Sequence, residues 1–174
     1  LQFFPCADGD TGKSLITDPR VAAVVLTGST ETAKLFHDWR PGLRLSAETS
    51  GKNALVVTAQ ADRDLAVKDL VRSAFGHAGQ KCSAASLGVL DAEVYDDPAF
   101  RRQLVDAAAS LPVGPATDPR SVVTPLIREP GDALRRALTA LDPGEEWLLE
   151  PRQLGDDPCQ WSPGIKLGVR PGSW

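Results

Sequence analysis

The run Val21-Ala22-Ala23-Val24-Val25-Leu26, followed at once by Thr27-Gly28-Ser29-Thr30, constrains this chain more than any other stretch. Six apolar residues, three of them β-branched valines, without a polar interruption read as a strand buried on both faces of a parallel sheet. The Thr-Gly-Ser-Thr that follows opens a helix through Arg40. Ser29 or Thr30 can cap its first amides, Glu31 suits the first turn, and Pro41 ends it. Two further strands are expected over 43–47 and 53–58. Strand, helix and strand in this order form a βαβ unit, so the class is α/β.

The period then changes. Val67, Leu70, Val71, Ala74, Phe75 and Ala78 recur at helical spacing, with Arg63, Asp64, Lys68, Asp69 and Arg72 facing away. That spacing predicts an amphipathic helix from Ala61 that Gly79 can close. Gly79-Gln80-Lys81-Cys82-Ser83 is a turn before a strand over 86–90. Helices are predicted over 98–111 and 131–141, and a short strand near 147–149. Leu1 to Cys6 is a strand candidate, and residues 12–17 can form a turn of helix. There is no internal repeat or low-complexity tract.

Composition removes several functions. With 174 residues and 42% hydrophobic content, the chain can bury a core as one domain or parts of two. A net charge of −4 leaves no basic stripe for nucleic acid. Three scattered cysteines and two histidines do not make a disulfide scaffold or a metal centre, so no metal site is expected. No apolar run approaches the roughly 20 residues of a bilayer span, and the start lacks a signal-peptide pattern. A cytoplasmic location is expected. With no methionine, and with ends in a strand and a Pro-Gly turn, the chain reads as an excerpt from a longer protein.

Two phosphate-binding patterns compete. Ala7-Asp8-Gly9-Asp10-Thr11-Gly12-Lys13-Ser14 fits a loose phosphate loop, in which Lys13 would reach outer phosphates and Ser14 would hold magnesium. The next strand ends in Thr-Gly instead of an acidic metal ligand, so a polar loop into a short helix is the simpler reading. The alternative it leaves is a nucleotide hydrolase. At Thr27-Gly28-Ser29-Thr30-Glu31 a strand delivers the chain to a helix start whose free amides suit a dinucleotide pyrophosphate, or make an ordinary capped helix. Glu48 reads as a turn carboxylate. Cys82 reads either as a small buried hydrophobe or, given its turn and the neighbouring Lys81, as a reactive thiolate. Cys6 and Cys159 have no such surroundings.

In this order and spacing, Val25-Leu26-Thr27-Gly28-Ser29-Thr30-Glu31, Glu48-Thr49-Ser50-Gly51-Lys52-Asn53 and Gly79-Gln80-Lys81-Cys82-Ser83-Ala84 resemble the aldehyde dehydrogenase superfamily. Glu48 and Cys82, 34 residues apart, match its catalytic pair. Phe4-Pro5-Cys6-Ala7-Asp8-Gly9 and Trp161-Ser162-Pro163-Gly164-Ile165-Lys166-Leu167-Gly168-Val169 are similar to the L-glutamate γ-semialdehyde (1-pyrroline-5-carboxylate) dehydrogenase branch of proline catabolism. The resemblance implies a Rossmann-like NAD-binding part over 1–47 and a truncated, thiol-bearing catalytic part over 48–174. It implies Cys82 as nucleophile and Glu48 as general base on a thioester. Gly28 and Ser29 would meet the NAD pyrophosphate, Thr49 would lie by the nicotinamide, and Ser83 would contact the aldehyde substrate. Lys52 would be structural. In the wider family the position of Ser50 is more often Gly.

The implied parent is a homo-oligomer, in bacteria often fused to a flavin-dependent proline dehydrogenase. Other aldehyde substrates and a non-catalytic remnant are the remaining alternatives. An Asn that completes the oxyanion site, a lysine at the adenosine ribose and a Glu-x-Phe-Gly-Pro segment would lie outside residues 1–174. These residues alone are therefore expected to have little activity.

Overall fold

The computed structural model describes residues 1–6 and 9–172. The chain divides into two compact units, Leu1–Gly51 and Lys52–Trp174.

The first unit contains α1 (Asp10–Thr17), β1 (Val24–Gly28), α2 (Thr30–Trp39) and β2 (Leu45–Thr49). β1 and β2 pair in parallel, from Val24 opposite Leu45 to Gly28 opposite Thr49, with α2 as the crossover. Ser29 caps α2 through its Oγ, which accepts from the Thr32 N–H at 3.0 Å. This is the βαβ unit expected from the apolar run, with one difference. Val24 and Leu26 are half-buried, but Val25 is 84% exposed, so β1 alternates and is not covered on both faces. Helix α2 packs on β1 and β2, and α1 packs on α2. Among the described residues of this unit, Leu43 is the buried apolar side chain. The Arg40 guanidinium supplements that small core: its Nη1 donates to the carbonyls of Val21 (2.8 Å), Asp18 (3.2 Å) and Ile16 (3.4 Å).

Residues 1–6 form no strand, contrary to the sequence expectation, and Phe3 and Phe4 are exposed. A strand needs a neighbour to receive its backbone hydrogen bonds, and none among the described residues pairs with this segment. The phosphate-loop pattern also loses its geometry. Its Ala7 and Asp8 lie outside the described residues, as do Ser173 and Trp174 of the terminal turn. Helix α1 already begins at Asp10, so Lys13 and Ser14 sit inside it and not at its start. Lys13 Nζ lies 6.0 Å from the ring centroid of Trp39.

The second unit repeats the parallel arrangement. β3 (Asn53–Val57) and β4 (Ala85–Leu90) pair in parallel, connected through α3 (Arg63–Phe75). Asp62 caps α3 by accepting from the Leu65 N–H at 3.0 Å. After β4 come α4 (Ala92–Tyr95), α5 (Pro98–Ala109) and α6 (Asp132–Thr139), then an antiparallel pair, β5 (Glu146–Leu149) and β6 (Ile165–Leu167). Ala66, Val67, Leu70 and Val71 of α3 pack with Phe100, Leu104 and Ala108 of α5, and with Val57 and Val94, in one core. Each fully buried side chain of that size contributes about 1.5–3 kcal/mol from transfer out of water. Short α4 and β6 have no period a sequence reading can detect.

The predicted helix through Ala78 stops instead at Phe75. The chain then makes a left-handed turn over Gly76–Gly79, with φ of 55° at His77, 53° at Ala78 and 68° at Gly79. The left-handed region costs a non-glycine residue roughly 1–2 kcal/mol, so the surroundings must hold this turn. The His77 N–H donates to the Val122 carbonyl at 3.1 Å, and the Gln80 N–H to the His77 carbonyl at 3.1 Å. A Cβ on Gly79 would lie 2.9 Å from the Ala74 carbonyl oxygen, which explains glycine there.

The Trp161–Val169 motif is accounted for by packing. A Cβ on Gly168 would lie 2.1 Å from the Gly144 carbonyl oxygen, and one on Gly164 would lie 2.7 Å from Pro151. Lys166 Nζ donates to the Ala140 carbonyl (2.6 Å) and to the buried Glu145 carboxylate (3.2 Å), and sits 4.9 Å from the Trp147 ring centroid. The Asp142 N–H and Lys166 together hold the Glu145 carboxyl below the usual carboxylate range.

The tetrapeptide Thr-Asp-Pro-Arg occurs at 17–20 and at 117–120 and closes the same turn both times. Asp18 Oδ1 accepts from the Arg20 N–H and Nε at 2.9 Å each, and Asp118 does the same for Arg120 at 2.9 and 3.0 Å. The Arg20 guanidinium and N–H pull the Asp18 carboxyl down to about 2. Because the folded value is depressed, this turn's contribution is present above the unfolded carboxylate value and is lost as pH falls from about 4 toward 2. A carboxyl NMR titration should show Asp18 with a midpoint near 2. In Arg20→Ala, which removes the guanidinium and keeps the backbone N–H donated to Asp18, the midpoint should rise part of the way toward about 4.

Candidate active site

The parallel register of the first unit gathers four of the singled-out residues at one place. Gly28 faces Thr49, and Thr27 faces Glu48, across the carboxyl ends of β1 and β2. Ser29 follows as the N-cap of α2. Carboxyl ends of parallel strands, where loops and helix N-termini converge, are where open α/β sheets bind ligands. Gly28 lacks the Cβ that would lie 3.3 Å from Leu26 Cδ1. The Ser29 Oγ is occupied by Thr32, and the positive end of the helix dipole is directed at the Gly28 turn. Glu48 is exposed and Thr49 half-buried.

The next residue, Ser50, has φ of 43°, and its N–H donates to the Gly28 carbonyl at 3.4 Å. A left-handed conformation favours glycine, which is a local reason for a Gly preference at this position.

Cys82 and Ser83 lie in the second unit, both exposed. They are the central residues of a turn closed by the Ala84 N–H on the Lys81 carbonyl at 3.1 Å. The Gln80 side chain anchors the approach to this turn. Its Nε2 donates to the carbonyls of His77 and Pro125, 3.2 Å each, and its Oε1 accepts from the Ile127 N–H at 3.0 Å. Behind the turn, Asn53 Nδ2 donates to the Cys82 carbonyl at 2.6 Å and to the Ala84 carbonyl at 3.1 Å. A cavity of about 960 Å³ beside the turn is lined by Arg72, Ser73, His77, Lys81, Ser83 and Thr124, among others. Glu48 thus belongs to the first unit and Cys82 to the second. The holding roles of Asn53 and Gln80 escape a sequence reading, because they depend on which carbonyls the fold brings near. Among the described residues no group of His, Cys, Asp and Glu is placed to hold a metal ion.

The comparisons with known proteins bear on this geometry. A family-wide sequence pattern described as the aldehyde dehydrogenase family matches residues 1–143. The chain belongs to the aldehyde dehydrogenase family. It is 33% identical over 154 residues to 1-pyrroline-5-carboxylate dehydrogenase 2 of Halalkalibacterium halodurans, which covers 84% of this chain and 29% of that protein. It is also similar to the solved structure of Proline Utilization A (PutA) from Corynebacterium freiburgense. That match has 51% identity and a TM-score of 0.89, over 97% of this chain and 17% of that one. A Thermus 1-pyrroline-5-carboxylate dehydrogenase with bound NAD matches at 29% identity and a TM-score of 0.78, over 94% of this chain and 33% of that one. The chain therefore spans less than a third of the length of the curated dehydrogenase it matches. The mixed α/β fold of this aldehyde dehydrogenase segment agrees with the sequence reading. No helix among the described residues is long and apolar enough to cross a membrane.

The three cysteines differ in environment. Cys6 and Cys82 are exposed, and Cys159 is half-buried. Burial pushes the Cys159 thiol up, and the Asp157 carboxylate, whose Oδ1 accepts from the Cys159 N–H at 2.8 Å, adds to the effect. At neutral pH iodoacetamide should label the exposed Cys82 ahead of the half-buried Cys159, read by peptide mass spectrometry. Labelling of Cys159 ahead of Cys82 would contradict this ordering.

Proposed function

We propose that this chain is the thiol-bearing segment of an NAD-dependent L-glutamate γ-semialdehyde dehydrogenase that forms glutamate in proline catabolism. The observation that carries the reading is an exposed cysteine held in a hydrogen-bonded turn, in a chain 51% identical to a Proline Utilization A protein. The same similarity supports a parent fused to a proline dehydrogenase. Gly28 and Ser29, at the start of α2, fit a dinucleotide pyrophosphate: the glycine leaves the backbone open, and the helix start favours an anion. Thr49, paired with Gly28, would serve the nicotinamide end. When bound, NAD accepts the hydride that leaves the aldehyde carbon.

The chain's own residues do the rest. The Cys82 thiolate adds its electron pair to the aldehyde carbon, and a C–S bond forms as the carbonyl oxygen takes up the charge. A sulfur nucleophile suits this step because it also leaves well from the thioester that remains after oxidation. Glu48 takes a proton from a water whose oxygen adds to the thioester carbon. The C–S bond then breaks, the carboxylic acid departs and the thiolate is regenerated. Ser83, next to the nucleophile in the same turn, is the proposed contact for the substrate.

The test is NADH formation from NAD and L-glutamate γ-semialdehyde by the protein that carries this sequence. Cys82→Ala should abolish it. Glu48→Gln should keep a first-turnover burst while steady turnover falls on the order of 10²–10⁴-fold. Wild-type turnover in Cys82→Ala would overturn the proposal.

A further inference from the structure

We propose that Asn53 is a positioning residue for the Cys82 thiol, acting through the peptide that follows Cys82 and the Ala84–Ala85 peptide beyond it; this rests on Cys82 as the nucleophile. Two carbonyl oxygens, of Cys82 at 2.6 Å and of Ala84 at 3.1 Å, face the Asn53 side chain. Only the NH2 end of the amide can meet two acceptors, so the orientation of Asn53 is determined by its neighbours.

A trans peptide points its C=O and N–H in opposite directions. By holding the Cys82 carbonyl, Asn53 therefore directs the Ser83 N–H away from β3. The peptide before Cys82 is held separately, because its Lys81 carbonyl accepts from the Ala84 N–H at 3.1 Å. That bond directs the Cys82 N–H away from Ala84. The Ala84–Ala85 peptide is gripped on both sides, by Asn53 at its carbonyl and by the Ser73 Oγ, which accepts from the Ala85 N–H at 3.1 Å. The turn thus cannot flip the peptide after the thiol without giving up its Asn53 hydrogen bond. A flipped peptide would present a carbonyl oxygen where an N–H now points, which is unfavourable for a thiolate and for a developing oxyanion.

Asn53 reaches the turn because the β3–β4 register sets it opposite Ala85, one residue after the turn closes. The register shifts immediately after Asn53, between Asn53 and Ala54, so the strand pairing is irregular where the side chain engages the turn. Asparagine is the residue this geometry selects. Aspartate has the same shape but would oppose two carbonyls without a donor, serine is too short, and alanine has no donor.

The experiment compares wild type, Asn53→Asp and Asn53→Ala in the protein that carries this sequence. Iodoacetamide rates are read separately at Cys82, Cys6 and Cys159, and kcat and KM are measured with NAD and L-glutamate γ-semialdehyde. The expected result is a Cys82 rate and a kcat lowered roughly three- to tenfold, the size of one or two lost hydrogen bonds. KM and the Cys6 rate should be unchanged. General loosening of the second unit would instead raise the rate of the half-buried Cys159 without lowering that of Cys82, which would overturn the positioning role. Should Asn53→Ala lose its far-UV circular dichroism, Asn53→Ser takes its place and must show the same selective loss. A Cys82 rate and kcat equal to wild type in the folded variants overturns the proposal and leaves the nucleophile assignment standing. A wild-type Cys82 that reacts no faster than Cys6 overturns both.

Discussion

Parallel strand pairing is the constraint on which the other features depend. A parallel pair needs a long crossover, and both crossovers here are helical: α2 between β1 and β2, and α3 between β3 and β4. In each unit the pairing decides which residues become neighbours although they are distant in sequence. In the first it places Gly28 opposite Thr49 at the carboxyl ends of the strands. In the second it places Asn53 opposite Ala85 at the amino ends, beside the turn that holds Cys82. A slip of one residue in either register would turn every side chain of that strand to the other face and separate these pairs.

The second unit also shows how a stable scaffold and a strained loop coexist. Helix α3 is anchored by four buried residues and capped by Asp62. Directly after it, two non-glycine residues adopt left-handed conformations, kept there by the His77 N–H donating to the Val122 carbonyl, the Gln80 N–H donating to the His77 carbonyl, and the side chain of Gln80. The packed α3–α5 core supplies the stability that a turn of this kind consumes. The first unit has little such reserve, with Leu43 buried and Arg40 binding three carbonyls in place of a larger apolar core.

Much of this was legible in the amino-acid order, for identifiable reasons. The β1–α2–β2 unit was readable because an uninterrupted apolar run, a Ser cap and a terminating Pro agree with one another. Helices α3 and α5 were readable because their apolar residues recur at helical spacing and are the ones buried. Three expectations differ from the structure of this segment, which spans less than a third of the curated dehydrogenase it matches. Leu1–Cys6 is apolar enough for a strand but has no partner; Val25 is apolar yet exposed; and the period that runs on to Ala78 is broken at Gly76. The candidate residues themselves were recognisable from motif order. Asn53 was visible only as part of a motif, and its hold on the Cys82 and Ala84 carbonyls required the fold.

Mass spectrometry of the trapped intermediate tests the proposed chemistry most directly. The protein carrying Glu48→Gln would be mixed with NAD and L-glutamate γ-semialdehyde, quenched in acid and digested. The expected result is a glutamyl thioester on the peptide that contains Cys82 and on neither of the other cysteine peptides. An unmodified Cys82, or the acyl group on Cys6 or Cys159, would contradict Cys82 as the nucleophile and Glu48 as the base that releases the product.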